Sequence, residues 1–229
     1  MIAPTIIDAI PFEIDLGQFL RSLHIEEGDS DAEKVRELLA AAQAAARPRA
    51  MFRESCVDSK ADASVVIDGI TLSSRVLRVN LGEAHRAFPF LATCGTELDA
   101  WSGTITDMFQ RYWADKIKEH ALGCAIKAVN DAITQRYSLG VTTTMNPGSL
   151  DDWPISQQSA LFALLGRPRE AIGVTLTDSF LMVPTKSVSG LRFPAEVTFE
   201  SCQLCPREKC PGRRARYDKD LFAKKYRQP

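Results

Sequence analysis

Apolar and polar positions alternate with a different rhythm in each part of the chain. Ser30-Asp31-Ala32-Glu33 has the form of a capping box, in which a serine hydroxyl and a glutamate carboxylate reciprocally satisfy orphan backbone N–H groups. It predicts a helix over about 31–46, ended by Arg47-Pro48. From Ser64 the period shortens. Val65–Ile70 and Thr71–Leu77 read as two short β segments around Asp68-Gly69, a dipeptide that favours a tight hairpin. Phe88–Gly95 reads as a buried strand closing on a glycine turn. Ile117, Leu122, Ile126, Val129 and Ile133 then recur along one helical face, and two helices are expected at roughly 97–110 and 112–137. A turn-rich loop over 142–154 leads into a short helix, Ser156–Leu165, with Gly166 as its C-cap signal. Beyond it, Ile172–Thr177, Phe180–Val183, Val188–Phe193 and Val197–Phe199 are β-rich. Strands, then helices, then strands predict an α+β architecture and not alternating βαβ units. Residues 1–49 read as an N-terminal helical segment, 50–200 as an α+β domain and 201–229 as a basic, cysteine-bearing extension.

Composition narrows the classes without choosing among them. The chain of 229 residues is 45% hydrophobic and 25% charged, which excludes a disordered or collagen-like polymer. A core of this size does not need disulfide staples. The formal net charge of −1 hides an asymmetry: residues 201–229 carry nine Lys/Arg against three acids, so the remainder sums to −7. A basic tail of this kind suits an acidic protein partner. Nucleic acid is not expected, because aromatic residues do not interleave with the basic ones. Residues 1–8 have no basic n-region and no apolar run reaches about 18 residues, so neither a secretory signal nor a membrane span is expected. The expectation is a cytoplasmic protein.

That compartment changes the meaning of the cysteines, because cytoplasmic thiols stay reduced and clustered ones commonly bind metal. Cys202-Gln203-Leu204-Cys205 is a C-x2-C pair, and Cys210-Pro211 follows after four residues. Such a turn can bring two thiolates to one metal, and a third can close on the same site. Four ligands are needed; Cys94, beside Gly95, is the leading fourth and Cys56 the reserve, whereas Cys124 lies in a predicted helix as a core thiol. The neighbouring arginines and the Cys-Pro ending favour an iron–sulfur cluster, with zinc as the alternative. No Ser-His-Asp arrangement, phosphate-binding glycine loop or paired catalytic carboxylates stands out.

Asn146-Pro147-Gly148-Ser149, Leu161–Leu165, Gly173–Pro184 with its Leu176-Thr177-Asp178-Ser179-Phe180, and Ser187-Val188-Ser189-Gly190 follow one another in that order. This succession resembles the activation (reactivation) domain of cobalamin-dependent methionine synthase and its stand-alone relatives. There an Ala/Ser-Pro-Gly-Tyr loop precedes a short helix, a Leu-Thr-Glu-Ser-Phe strand and a Ser-Val-Ser-Gly turn. The resemblance extends over about residues 50–200. It implies a twisted antiparallel sheet with flanking helices. It also implies reductive remethylation of cobalamin that has drifted to the inactive cob(II)alamin state. The family's domain binds S-adenosylmethionine, sits over a corrinoid carried by a partner and receives electrons from flavodoxin-type donors. Carried over position by position, Asn146, Pro147, Gly148, Ser149, Asp178, Ser189 and Gly190 are the expected binding positions, and Ser187 keeps the backbone geometry of the Ser-Val-Ser-Gly turn. Three departures make ordinary S-adenosylmethionine binding doubtful. Thr144 stands where the family has an arginine, Ser149 where it has a tyrosine, and Lys127 near the place of a pocket glutamate. The expectation is therefore an accessory or reactivation protein that docks on a corrinoid protein or corrinoid methyltransferase. Its cluster would relay electrons from a donor protein to cobalt. The alternatives are a zinc-stabilised corrinoid-protein binding module and true S-adenosylmethionine-dependent remethylation.

Overall fold

The structure, a computed structural model, describes residues 2–227. Its backbone forms ten strands and seven helices. The strands are β1 Thr5–Ile7, β2 Arg49–Phe52, β3 Ser55–Lys60, β4 Ser64–Ile67, β5 Ile70–Ser73, β6 Arg86–Thr93, β7 Thr142–Met145, β8 Thr175–Leu176, β9 Met182–Val183 and β10 Ser187–Pro194. The helices are α1 Leu16–Leu23, α2 Ser30–Ala45, α3 Arg75–Leu81, α4 Thr96–Gly103, α5 Met108–Tyr137, α6 Gln158–Leu165 and α7 Pro168–Ile172. Eight strands make one sheet, antiparallel at every pairing, in the path β1-β2-β6-β3-β4-β5, with β10 on the other side of β6 and β7 beyond it. The strands β8 and β9 form a separate hairpin.

Alternation along the central strands sends side chains into two cores. On one face Phe52, Phe88, Phe90 and Ala92 meet Ala125, Val129 and Ile133 of α5. On the other, Val65, Leu72, Leu191 and Phe193 pack with Trp153, Leu161 and Leu164. Helices α1, α2 and α4 complete a third cluster around the N-terminal half of α5. The N-terminal segment is thus more than helical, since β1 pairs Thr5–Ile7 with Phe52–Ala50 at the sheet edge.

Several expected boundaries shift for identifiable reasons. The hairpin forms as expected, with Asp68 at φ 45° and Gly69 at φ 79°. The capping box does not: Asp29 occupies the N-cap and Ser30 is already helical. The long helix begins at Met108 because Asp107 caps it, accepting the Gln110 N–H at 2.9 Å; the expected break at 110–112 lies inside α5. Residues 75–77 open helix α3 instead of extending a strand. Similarly, Pro168 starts the short helix α7, which takes Ile172 out of the strand expected over 172–177, and residues 197–199 are irregular. Among the described residues, no helix is long and apolar enough to cross a membrane.

Candidate functional site

Strand β7 delivers the chain to a tight loop at Asn146. The Asn146 side-chain amide donates to the Ser189 carbonyl oxygen at 2.7 Å, tying the loop to β10. Gly190 permits that approach: a Cβ there would lie 2.5 Å from Asn146 Nδ2 and 2.7 Å from the Phe90 ring. Gly148, at φ 82°, turns the loop back, donating its N–H to the Trp153 carbonyl at 2.7 Å. Trp153 itself is 1% exposed and anchors the loop in the core. Beneath it, the buried Ser189 hydroxyl donates to Gln158 Oε1 on α6.

The Ser187 hydroxyl lies 2.7 Å from the Pro184 carbonyl and 2.8 Å from Thr93 Oγ1. A carbonyl only accepts, so the donors run from the Gly95 N–H through Thr93 and Ser187 to Pro184. This relay fixes the segment 184–187 against β6. Between it and α6 lies a cavity of about 270 Å3, lined by Ile155, Gln158, Phe180, Leu181, Met182, Thr185 and Ser187. Leu181 and Ile155 of that lining are exposed, as is Val183, the residue after the lining Met182. The structure therefore joins Asn146, Pro147 and Gly148 to Ser189 and Gly190 on one sheet end, while Ser149 is exposed at the loop. Asp178 is also exposed, at the tip of the β8–β9 hairpin.

Lys127 points into solvent, 79% exposed, and pairs with Asp131 at 2.6 Å. Thr144 stands directly across from Arg192 on β10. Gln158, Trp153 and Arg192 were not anticipated. The alternation of β10 was the available signal for Arg192, because it places that residue on the same face as Val188 and opposite Leu191.

The cysteines require a correction. Cys94 is fully buried with α2, α4 and α5 in the helical cluster, its thiol 3.6 Å from the Gly95 carbonyl oxygen. The tail belongs elsewhere: Leu204 and Leu221 pack on the core beneath β10. Cys56 is exposed on β3 and Cys124 half-buried on α5. Within the tail the Arg213 guanidinium organises the loop. It donates to the carbonyls of Cys202, Cys205 and Ala215, each at 3.1 Å, and to that of Arg207. The Cys202 sulfur accepts the Arg214 N–H at 3.5 Å, and this backbone donor holds the thiol below its ordinary pKa. Among the described residues, no three His, Cys, Asp or Glu side chains form a group able to hold a metal ion. The expected fourth ligand, Cys94, thus lies in a different cluster from the tail, and an iron–sulfur cluster or zinc held by Cys202, Cys205, Cys210 and Cys94 is not supported.

Burial above all pushes the Cys94 thiol up from 9.0 to about 12, and likewise the Tyr226 hydroxyl from 10.0 to about 12. The folded chain thus keeps two protons that the unfolded chain releases at lower pH. Their stabilisation is complete below about pH 9 and is lost as pH rises toward 12. Thermal melts across this window should show a falling midpoint, with a shallower fall in Cys94→Ala and Tyr226→Phe. A flat profile in the parent protein would contradict the assignment.

Comparison with known proteins places this geometry. The fold is that of a methionine synthase reactivation domain. Residues 128–203 match the family model described as the activation domain of vitamin B12 dependent methionine synthase. A solved structure, that of the MetH reactivation domain bound to AdoHcy, superposes with a TM-score of 0.56 at 15% identity, covering 86% of this chain and 80% of that one. No curated protein matches the chain.

Proposed function

We propose that this chain docks on a cobalamin-carrying protein and serves the reactivation of its corrinoid. The observation that carries this reading is the position of the matched segment. Residues 128–203 include the loop at Asn146–Gly148, the α6 helix, the β8–β9 hairpin and the strand from Ser187 to Gly190. The same segment supplies the exposed apolar rim of Ile155, Leu181 and Val183, at 38%, 59% and 43% exposure. Apolar side chains around a partly apolar hollow suit a surface that covers a corrinoid ring and its protein. The basic tail adds attraction for an acidic partner, which raises the rate of encounter more than the final affinity.

Reduction of cob(II)alamin requires an electron, and in this reading the electron comes from a separate donor protein. No step of this reading runs through the tail thiols. The test is a titration of a cob(II)alamin-loaded cobalamin-binding domain with the chain, read by co-elution and by the cob(II)alamin visible spectrum. A complex with an altered spectrum is expected. Leu181→Asp with Ile155→Asp should weaken it about tenfold or more, because each buries a charge at the contact. Absence of a complex at tens of micromolar, with the parent protein folded, would rule the reading out.

A further inference from the structure

Cys202 and Cys205 share one turn of the C-terminal extension. Three successive backbone bonds span three residues each: the Gln203 N–H donates to the Glu200 carbonyl at 2.8 Å, the Leu204 N–H to that of Ser201 at 3.1 Å and the Cys205 N–H to that of Cys202 at 3.3 Å. This is a turn of 3-10 helix, Ser201–Gln203, carried on to Cys205. In that geometry residues three apart are eclipsed and the rise is about 2 Å per residue, so the two cysteines stand on one face with Cα atoms about 6 Å apart. A disulfide requires a Cα separation of about 4.4–6.8 Å. Both thiols are free and half-buried.

The two residues between them are pinned. The Gln203 side chain accepts the Glu200 N–H at 3.0 Å, and the Gln203 carbonyl accepts the Asp218 N–H at 2.9 Å. Leu204 packs on the core cluster that includes Phe199 and Tyr226. Across the loop, the Arg213 guanidinium holds the Cys202 and Cys205 carbonyls to a single cation, each at 3.1 Å. The two sulfurs are not equivalent. That of Cys202 accepts the Arg214 N–H at 3.5 Å, and a sulfur so placed carries more thiolate character and is the better nucleophile. Cys210 begins the next turn instead, its carbonyl accepting the Arg213 N–H at 3.1 Å.

We infer that Cys202 and Cys205 form a reversible dithiol–disulfide pair, Cys202 attacking and Cys205 resolving, whose substrate is a low-molecular-weight disulfide such as oxidised glutathione. The Cys202 sulfur attacks one sulfur of that substrate, its S–S bond breaks and a first small thiol leaves. Cys205 then gives up its proton, attacks the Cys202 sulfur and expels the second small thiol. The two protein thiols lose two electrons and two protons, and the small disulfide takes them up as two thiols. The pinned turn favours the second step, because it holds the resolving thiol at an effective concentration above the millimolar range of a flexible linker.

The test equilibrates the intact, fully reduced chain with millimolar glutathione buffers over a range of reduced-to-oxidised ratios. Acid quenching, alkylation and peptide mass spectrometry then read each of the six cysteines. Cys202 and Cys205 should convert together into one disulfide, which should exceed the glutathione adduct of Cys202 about tenfold or more. In Cys205→Ser the reaction should stop at the Cys202 adduct, in Cys202→Ser the Cys205 adduct should be severalfold scarcer, and Cys210→Ser should behave as the parent. Thiols at 202 and 205 that survive the most oxidising buffer, a disulfide that includes Cys210, or equal adducts in the two single variants would each overturn the inference. The parent protein alone reports the pairing, so the result stands even if a variant folds poorly. None of these readouts involves a corrinoid protein, so this inference and the reactivation reading fail separately.

Discussion

Alanine in place of Trp153 is expected to destabilise the protein by about 3–5 kcal/mol, the range for removing a large aromatic from a packed core. Trp153 is 1% exposed and packs among Val65, Leu72, Leu161 and Phe193, and its backbone closes the loop by accepting from Gly148 and donating to Leu150. The substitution therefore leaves a cavity under the sheet and frees the loop that carries Asn146 and Gly148. Trp153→Phe fills most of that space and should cost distinctly less. Its indole N–H has no hydrogen-bond partner among the described residues, so the substitution gives up no polar contact there. Denaturant unfolding of both variants measures the difference; a loss below about 1 kcal/mol for alanine would show that the loop is not anchored through this side chain.

The second large effect is expected at Asp68. Arg53 is 4% exposed and reaches Asp68 Oδ2 at 3.0 Å, while its Nη1 donates to the Leu164 carbonyl at the end of α6. Asp68 also accepts the Cys56 N–H at 3.0 Å. Asp68→Asn keeps the shape and the positive φ that asparagine tolerates, yet it leaves a buried guanidinium without its counter-charge. A cost of about 3 kcal/mol is expected, toward the lower end for a broken buried pair because Asp68 is itself 14% exposed. Combining it with Arg53→Met should recover part of the loss, since an apolar side chain does not require the anion. Unfolding curves for the single and double variants form the check. Additive losses in the pair would mean that the two charges do not act together.

The elements that were legible in the sequence are those whose cause is local. Asp68-Gly69 encodes its own turn, Gly166 its own helix end, and the repeat from Ile117 to Ile133 its own buried face. Helix α3 shows the opposite case. Val76 and Val79 favour a strand locally, but the Ser74 hydroxyl accepts the Leu77 N–H at 2.9 Å, and Asp152 reaches in to accept the Val76 N–H at 2.9 Å. A cap supplied by a residue 76 positions away has no signature in the segment it stabilises. The site divides in the same way. The loop and the Ser187–Gly190 strand announced themselves through turn chemistry and their order. The face of Arg192 was readable from the alternation of β10, whereas its partner Thr144 became visible only with the register of β7. Cys94 is separated from the tail thiols because the packing of α2, α4 and α5 sets its place, which nearness to a glycine turn in sequence does not report.

The tail that bears those thiols has one further property. The Phe199 and Tyr226 rings meet edge to face at 6.1 Å, and Tyr226 is 1% exposed, with its hydroxyl hydrogen-bonded to Asn80 and its carbonyl to Arg75. The intervening residues are therefore a closed loop with both ends stapled to one core. The entropy of bringing those ends together, which grows as about (3/2)RT ln n, has already been spent by the core contact. Any rearrangement of Cys202, Cys205 and Cys210 is then confined within a fixed perimeter, and a cut in its exposed middle leaves both halves attached.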